Sequence, residues 1–165
     1  MNPLFWSFRV QFFAGVLVCA GLLGYALYAQ HQLGLDPCPL CIFQRVVFIG
    51  MGLVFLVGFL HGPRTWGRKL YALSVFVVSM VGVGIAGRHV WLQNLPADEV
   101  PACGPGLAYM LDAFPWRKTL DMVFTGSGEC ANIDWHFLGL TMPTWTLIAY
   151  VLLGVGALWA GFRRV

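Results

Sequence analysis

Four long, uncharged, apolar stretches constrain the fold of this chain more than any other feature. They span residues 10–29, 46–60, 70–87 and 145–162. Hydrocarbon offers no water to backbone N–H and C=O groups, so a segment that crosses a bilayer must satisfy them internally, as a helix does. The second stretch is short, because 15 residues form a helix of only about 22 Å against a hydrocarbon core of ~30 Å. Extending it to residues 41–60 gives a full span and brings Arg45 inside the outer end of that helix.

The overall composition indicates the same solvent. Hydrophobic residues make up 59% of the chain and charged residues only 10%, whereas a soluble domain carries roughly 25% charged residues. The sequence therefore predicts an all-α membrane protein, a four-transmembrane-helix bundle formed by one domain over residues 1–165, with the lipid bilayer as a partner. The net charge of +3 is small and dispersed, so nucleic acid is not an expected partner.

The charge distribution predicts the orientation in the membrane. Four helices place both termini on one side, where the chain carries six basic residues and no acidic ones; they are Arg9, Arg64, Arg68, Lys69, Arg163 and Arg164. All seven acidic residues fall on the opposite side. The positive-inside rule then predicts a multi-pass membrane protein with cytoplasmic termini. In a bacterium, the opposite side is the periplasm. The loops at about residues 30–40 and 88–143 face the periplasm, where disulfides persist.

The second outer loop is more than 50 residues long, and connections of that length are usually functional. Its middle, residues 108–124, mixes aromatic and aliphatic side chains with charged ones. That composition predicts a short helix lying in the membrane interface. A folded loop that packs on the tops of the helices explains the composition equally well.

The candidate chemistry begins at Cys38 and Cys41, a C-x-x-C pair at the start of the second helix. Pro39 suits a first helical position, which makes Cys38 the N-cap and Cys41 the third residue of the helix. Unpaired N–H groups and the helix dipole stabilise a thiolate at Cys41. Arg45 lies one turn further along the same face, where it can stabilise that thiolate or a ligand. The alternative is that Arg45 extends to the lipid head groups.

A second cysteine pair, Cys103 and Cys130, lies in the long outer loop with 26 residues between its members. A structural disulfide is one interpretation, and a zinc site shared with the C-x-x-C pair is another, although the wide spacing disfavours it. A third interpretation is a relay, in which thiol–disulfide exchange passes two electrons between the pairs. A lipid-soluble acceptor such as a quinone would then receive the electrons. Cys19, in the middle of the first stretch, is expected to be a buried thiol.

The sequence resembles the DsbB family, the quinone-dependent disulfide-forming proteins of the bacterial inner membrane. The resemblance covers essentially the whole chain. The segments that carry it are Cys38-Pro-Leu-Cys-Ile-Phe-Gln-Arg45, Arg88-His89 with Leu92-Gln93, and Trp135-His-Phe-Leu-Gly-Leu-Thr-Met-Pro-Thr-Trp145. Family members often carry Glu where this chain has Gln44, which removes any role for an acid at that position.

The resemblance implies a role for each candidate residue. A periplasmic thioredoxin-fold protein of the DsbA type attacks Cys103 of a Cys103–Cys130 disulfide, and Cys130 then opens the Cys38–Cys41 bond. Cys41, Arg45 and His89 are the residues implied to contact the quinone, either ubiquinone or menaquinone. His89 is expected just beyond the third helix, and an ordinary interfacial polar role is its alternative. No metal is assigned.

Two other functions are compatible with the sequence. One is a paralogue in the same fold that serves a dedicated thioredoxin-like partner. The other is a non-catalytic membrane scaffold whose loop disulfide is purely structural. Relatives of vitamin K epoxide reductase also combine four helices, C-x-x-C and quinone, but their redox C-x-x-C comes late in the chain. Here the C-x-x-C pair precedes the loop cysteines, which argues against that family.

Overall fold

The structure is a computed structural model that describes residues 7–64, 66–96, 98–100, 107–125, 128–133 and 135–163. Four long helices dominate it: α1 (Phe8–Gln32), α2 (Pro39–His61), α3 (Trp66–Gln93) and α7 (Met142–Phe162). Between α3 and α7 lie α4 (Leu107–Ala113), α5 (Trp116–Thr125), α6 (Gly128–Ala131), β1 (His136–Phe137) and β2 (Leu140–Thr141). The long helices are each long and apolar enough to cross a membrane, which confirms the predicted four-helix membrane fold.

Each long helix extends beyond the apolar stretch that predicts it. The largest extension is in α3, which continues to Gln93 rather than ending near residue 87. His89 therefore belongs to the last turns of α3 and is buried, so the prediction that it lies just beyond this helix is wrong. Hydropathy locates the part of a helix that lies in hydrocarbon, whereas the helix itself continues until its backbone hydrogen bonds are interrupted.

Local signals explain where the helices begin and end. Ser7 is the N-cap of α1, and its hydroxyl accepts a hydrogen bond from the Val10 N–H. At the same end of the bundle, α2 ends at Gly62, which adopts the left-handed conformation at φ 56° and donates its N–H to Gly58 O. Glycine has no Cβ to clash in that conformation, so it terminates the helix at little cost.

The helices pack as an antiparallel bundle in which α3 lies along α7, α2 lies between α1 and α3, and α1 meets α7 over a shorter length. Tyr150 of α7 occupies the centre of the bundle and is fully buried. Its ring stacks on Phe48 with centroids 4.2 Å apart, and its backbone carbonyl accepts a hydrogen bond of 2.7 Å from the Ser79 hydroxyl. These contacts join α2, α3 and α7 in the middle of the bundle.

The outer loop folds over the ends of these helices. In place of the single short helix predicted for residues 108–124, there are two, α4 and α5, separated at Pro115. Proline lacks the N–H that a continuous helix needs and restricts the residue before it. Met110 and Val123 are buried in a cluster that contains Cys38 and Cys130, while Trp116 on α5 is exposed. The loop therefore packs on the helix tops and also presents an outward face.

The close contact between α3 and α7 predicts a difference between two glycines. A Cβ at Gly82 would lie 2.5–2.7 Å from atoms of the Tyr150 ring, whereas a Cβ at Gly84 would meet nothing within 4 Å. We expect Gly82→Ala to destabilise the protein by about 1–3 kcal/mol, because overpacking displaces a rigid aromatic ring. Thermal unfolding in detergent should show a lower Tm for Gly82→Ala than for the matched control Gly84→Ala. Equal Tm values for the two variants would contradict this packing.

Candidate active site

Cys38 and Cys41 lie at the outer end of α2, in the first turn. Cys38 is the N-cap in extended conformation, and its Sγ accepts the Cys41 N–H at 3.4 Å. Pro39 occupies the first turn, where its missing N–H costs nothing. The Cys38 thiol donates to Cys41 Sγ at a separation of 3.2 Å, far beyond the ~2.05 Å of a disulfide. The pair is therefore a dithiol in hydrogen-bonding contact.

Arg45 lies one turn beyond Cys41 and is held by α1. Its Nη1 donates to Gln30 Oε1 at 2.5 Å, and its Nη2 donates to the Ala26 carbonyl at 3.1 Å. Both acceptors are uncharged, so they orient the guanidinium without neutralising it. The side chain is half-buried, and its charge stays at the boundary between α1 and α2, near the dithiol.

His89 reaches the dithiol from α3. Its side chain is only 2% exposed, and its Nε2 lies 3.7 Å from Cys38 Sγ. The other ring nitrogen, Nδ1, lies 3.2 Å from Gln44 Nε2. His89 therefore contacts the first cysteine of the C-x-x-C pair, a position that sequence reasoning assigned to the neighbourhood of a quinone.

Cys130, on the short helix α6, is 1% exposed and lies beside the same group. The Cys130 Sγ, the Cys38 Sγ and a ring nitrogen of His89 are all within 4.8 Å of one another. Three such atoms could also surround a tetrahedral zinc ion, but exchange between two cysteines requires the same proximity. Cys103, the remaining predicted site residue, lies outside the described residues.

A cavity of about 110 Å³ opens beside Cys41, between the outer ends of α1, α2, α3 and α7. Cys38, Cys41, Arg45 and His89 all line it. Gln93 lines it too, and its buried Oε1 finds no hydrogen-bond partner among the described residues. Both cysteines, a cation, an imidazole and a buried hydrogen-bond acceptor thus line one cavity.

Sequence reasoning missed the contribution of Gln44, which it treated only as a departure from a family pattern. Gln44 is 4% exposed and contacts both His89 and Thr146 of α7. One signal was present in the sequence. Gln44 is the only side-chain amide in residues 41–60, and a buried polar group in an apolar helix requires partners.

Comparison with known proteins finds one family over most of the chain. The family described as Disulfide bond formation protein DsbB matches residues 8–160. Disulfide bond formation protein B of Nitrosococcus oceani is 59% identical over 153 residues, covering 93% of this chain and 90% of the relative. The protein of the same name from Xanthomonas euvesicatoria pv. vesicatoria is 52% identical over 164 residues, covering 99% of this chain and 95% of the relative.

A third protein of that name, from Marinobacter nauticus, is 50% identical over 159 residues, covering 96% of this chain and 92% of the relative. Identity at this level over nearly the full length of both chains extends across the four helices and the outer loop together. With its four membrane-spanning helices and its buried dithiol, the chain therefore belongs to the DsbB family of inner-membrane disulfide bond formation proteins.

Proposed function

We propose that this protein is a quinone-dependent thiol oxidase that reoxidises a DsbA-like thioredoxin-fold protein in the periplasm. The observation that carries the proposal is the approach of Cys130 Sγ to within 4.8 Å of Cys38 Sγ, while Cys41 borders the cavity. A loop cysteine, a helix-end cysteine and a cavity for an acceptor thus follow one another in space. That is the arrangement a dithiol relay needs.

The relay consists of two exchange reactions. The partner's thiolate attacks Cys103 of a Cys103–Cys130 disulfide, and Cys130 leaves with the electron pair of the broken bond. The Cys130 thiolate then attacks Cys38 of an oxidised C-x-x-C pair. The Cys38–Cys130 bond forms, the Cys38–Cys41 bond breaks, and Cys41 becomes the thiolate. The electron pair has then moved from the partner to Cys41 Sγ, which borders the cavity.

The cavity has the chemistry that a quinone ring needs, and its size approaches that of a cavity for an unsubstituted aromatic ring. Its volume of about 110 Å³ is of the order of the apolar cavity of ~150 Å³ that holds a benzene ring in another protein. A bound quinone would supply a two-electron, two-proton acceptor, either ubiquinone or menaquinone. Gln93 Oε1, buried and unpartnered among the described residues, is suited to accept a hydrogen bond from a quinol hydroxyl.

Arg45 is the residue best placed to stabilise negative charge at this site. It borders the cavity together with Cys41, and its hydrogen bonds to α1 keep it there before any charge develops. A preorganised cation in a water-poor site stabilises a developing anion more strongly than solvent does. Arg45 would therefore favour both the Cys41 thiolate and a ligand with partly negative oxygens.

The orientation completes the proposal. With cytoplasmic termini, the dithiol, α6 and the rest of the outer loop face the periplasm, and one domain carries both cysteine pairs. A dedicated thioredoxin-like partner in place of a general DsbA would use the same residues. Assays with both kinds of partner separate these two possibilities.

The first prediction from the proposed function concerns turnover. Purified protein mixed with ubiquinone and a reduced DsbA should consume quinone, followed by its ultraviolet absorbance. Cys41→Ser should reduce quinone consumption to the background rate. A serine hydroxyl does not ionise under conditions in which a cysteine thiol forms a thiolate. Cys19→Ala is the control, since Cys19 is buried in the bundle core, and it should retain turnover. Absence of quinone consumption with every reduced thioredoxin-like partner would reject the oxidase function.

The second prediction concerns Arg45. Arg45→Ala should raise the apparent KM for quinone about tenfold, since a hydrogen bond or contact to a charged group contributes roughly 1.5–3 kcal/mol. Arg64→Ala provides the control, because Arg64 is an exposed basic residue at the opposite ends of the helices. Steady-state kinetics against quinone concentration make the measurement. An unchanged KM and rate in Arg45→Ala would remove Arg45 from the site.

The third prediction concerns the approach of the two cysteine pairs. In a Cys41→Ser, Cys103→Ser double variant, the oxidant diamide should take two electrons and two protons from Cys38 and Cys130 and leave an internal disulfide between them. Peptide mapping by mass spectrometry identifies the bond. Cys19 serves as the internal control, because its burial should keep it a thiol. Persistence of Cys38 as a thiol under these conditions would contradict the relay.

A further inference from the structure

A row of hydrogen bonds runs from α7 to the dithiol. The Thr146 hydroxyl donates to Gln44 Oε1 at 2.6 Å, and Gln44 Nε2 lies 3.2 Å from His89 Nδ1. The row continues from His89 Nε2 to Cys38 Sγ at 3.7 Å and from Cys38 Sγ to Cys41 Sγ at 3.2 Å. Gln44 and His89 are 4% and 2% exposed, so bulk water has little access to their polar atoms.

The amide of Gln44 gives this row a direction. A primary amide has one end that only accepts and one end that only donates hydrogen bonds. With the Thr146 hydroxyl on Oε1, the Nε2 group faces His89 and can only donate. His89 Nδ1 must then be the acceptor, which leaves the single proton of a neutral imidazole on Nε2. Cys38 Sγ, 3.7 Å from Nε2, lies within reach of that proton.

We propose that Gln44 is a positioning residue that holds His89 as the Nε2–H tautomer, so that His89 donates a hydrogen bond to Cys38 Sγ. The functional part of this inference rests on the proposed relay. The Cys41 N–H already donates to the same sulfur at 3.4 Å. Two N–H donors therefore converge on Cys38 Sγ from α2 and α3.

This convergence assists the step in which Cys38 is the leaving group. When a thiolate attacks Cys130 in a Cys38–Cys130 disulfide, a new bond forms at Cys130 and the electron pair of the old bond leaves on Cys38 Sγ. A thiolate in a buried site is costly unless hydrogen bonds compensate its charge. An N–H donor supplied by a neutral ring provides that compensation, and leaving-group stability governs the rate of exchange.

Helix α7 holds Gln44 at two points. Its side chain meets Thr146, and its backbone carbonyl accepts a hydrogen bond of 2.7 Å from the Tyr150 hydroxyl. Thr146 and Tyr150 are four residues apart and so lie on one face of α7. This face limits both the position of the Gln44 backbone and the rotation of its amide, which is what a positioning role requires.

The opposite amide orientation makes a different prediction. If the Gln44 amide were rotated by half a turn, its Oε1 would accept a hydrogen bond from the His89 Nδ1–H, and the Nε2 of His89 would present only a lone pair to Cys38. The Thr146 hydroxyl would then donate to Pro143 O, which lies 2.9 Å away. In the structure, Thr146 Oγ1 and Gln44 Oε1 are 2.6 Å apart, a separation that is typical of a strong O–H···O bond and favours the first orientation. The two orientations differ in an observable way, the protonated nitrogen of His89.

The test is nitrogen NMR of the reduced protein in detergent micelles, with ¹⁵N in the histidine rings and His89 assigned by its loss in His89→Asn. We expect a protonated Nε2 and an unprotonated Nδ1. Gln44→Glu should move the proton onto Nδ1, because a carboxylate can only accept. Gln32→Glu adds the same charge at an exposed position near the outer end of α1 and should leave the His89 signals unchanged.

A second pair of variants tests the role of α7. Thr146→Val removes the donor to Gln44 and should give a mixture of tautomers, with release of Cys38 from a trapped Cys38–Cys130 disulfide slowed about fivefold, the loss expected for one neutral hydrogen bond. Thr146→Ser keeps the hydroxyl and should restore both the tautomer and the rate. A purely structural effect of residue 146 would slow the release without changing the protonated nitrogen.

A protonated Nδ1 in the unmodified reduced protein, or a doubly protonated ring, would overturn the proposal. So would an unchanged tautomer in Gln44→Glu. These measurements do not depend on quinone or on a partner protein, so they separate a failure of this inference from a failure of the oxidase function. If Thr146→Val does not fold, the spectra of the unmodified protein and of Gln44→Glu still show which ring nitrogen of His89 carries the proton, and so test the proposal.

Discussion

The hydrogen bond from the Cys41 N–H to Cys38 Sγ defines the first turn of α2, and the site depends on that turn. A helix that begins in the membrane leaves N–H groups without intrahelical partners, and here a sulfur takes one of them. The same bond places Cys41 Sγ, Cys38 Sγ and, one turn further, Arg45 along the outer end of one helix. These three groups are thereby held by the secondary structure of α2.

Helix α7 is the scaffold that supports this turn from behind. Tyr150 fills the bundle centre, stacks on Phe48 and hydrogen-bonds the Gln44 carbonyl. One turn earlier, Thr146 reaches the side chain of Gln44. Buried polar groups in an apolar bundle are costly unless they are paired. Their mutual hydrogen bonds therefore favour one register of α2 against α7, and the position of His89 relative to Cys38 depends on that register.

The outer loop covers the outer ends of the helices and also carries the reactive residue Cys130. Met110 and Val123 pack into the cluster that also contains Cys38 and Cys130, which keeps Cys130 near the C-x-x-C pair. The Thr119 hydroxyl donates to the Met110 carbonyl at 2.9 Å, joining α5 to α4 across Pro115. The apolar side chains of this loop bury Cys38 and limit its contact with bulk water. Such an environment strengthens the electrostatic effect of Arg45 and of the N–H donors.

The sequence by itself determined the parts of this protein that depend on local composition and spacing. Apolar length decided the four spans, because backbone groups in lipid must be satisfied within a helix. The Cys-Pro-x-Cys spacing decided that Cys38 caps α2, because proline is favoured where an N–H is not needed. The position of Arg45 near the outer end of the span followed from the length of helix that a bilayer requires.

Only the tertiary structure decided the contacts between residues far apart in the chain. His89 is 51 residues from Cys38, and Thr146 is 102 residues from Gln44. Such contacts depend on which faces of α2, α3 and α7 meet and in what register, and helical periodicity does not specify this when nearly every face is apolar. The close fit of Gly82 to Tyr150 and the pairing of buried polar groups select that register, which is why Gln44 acquired its role only in the folded bundle.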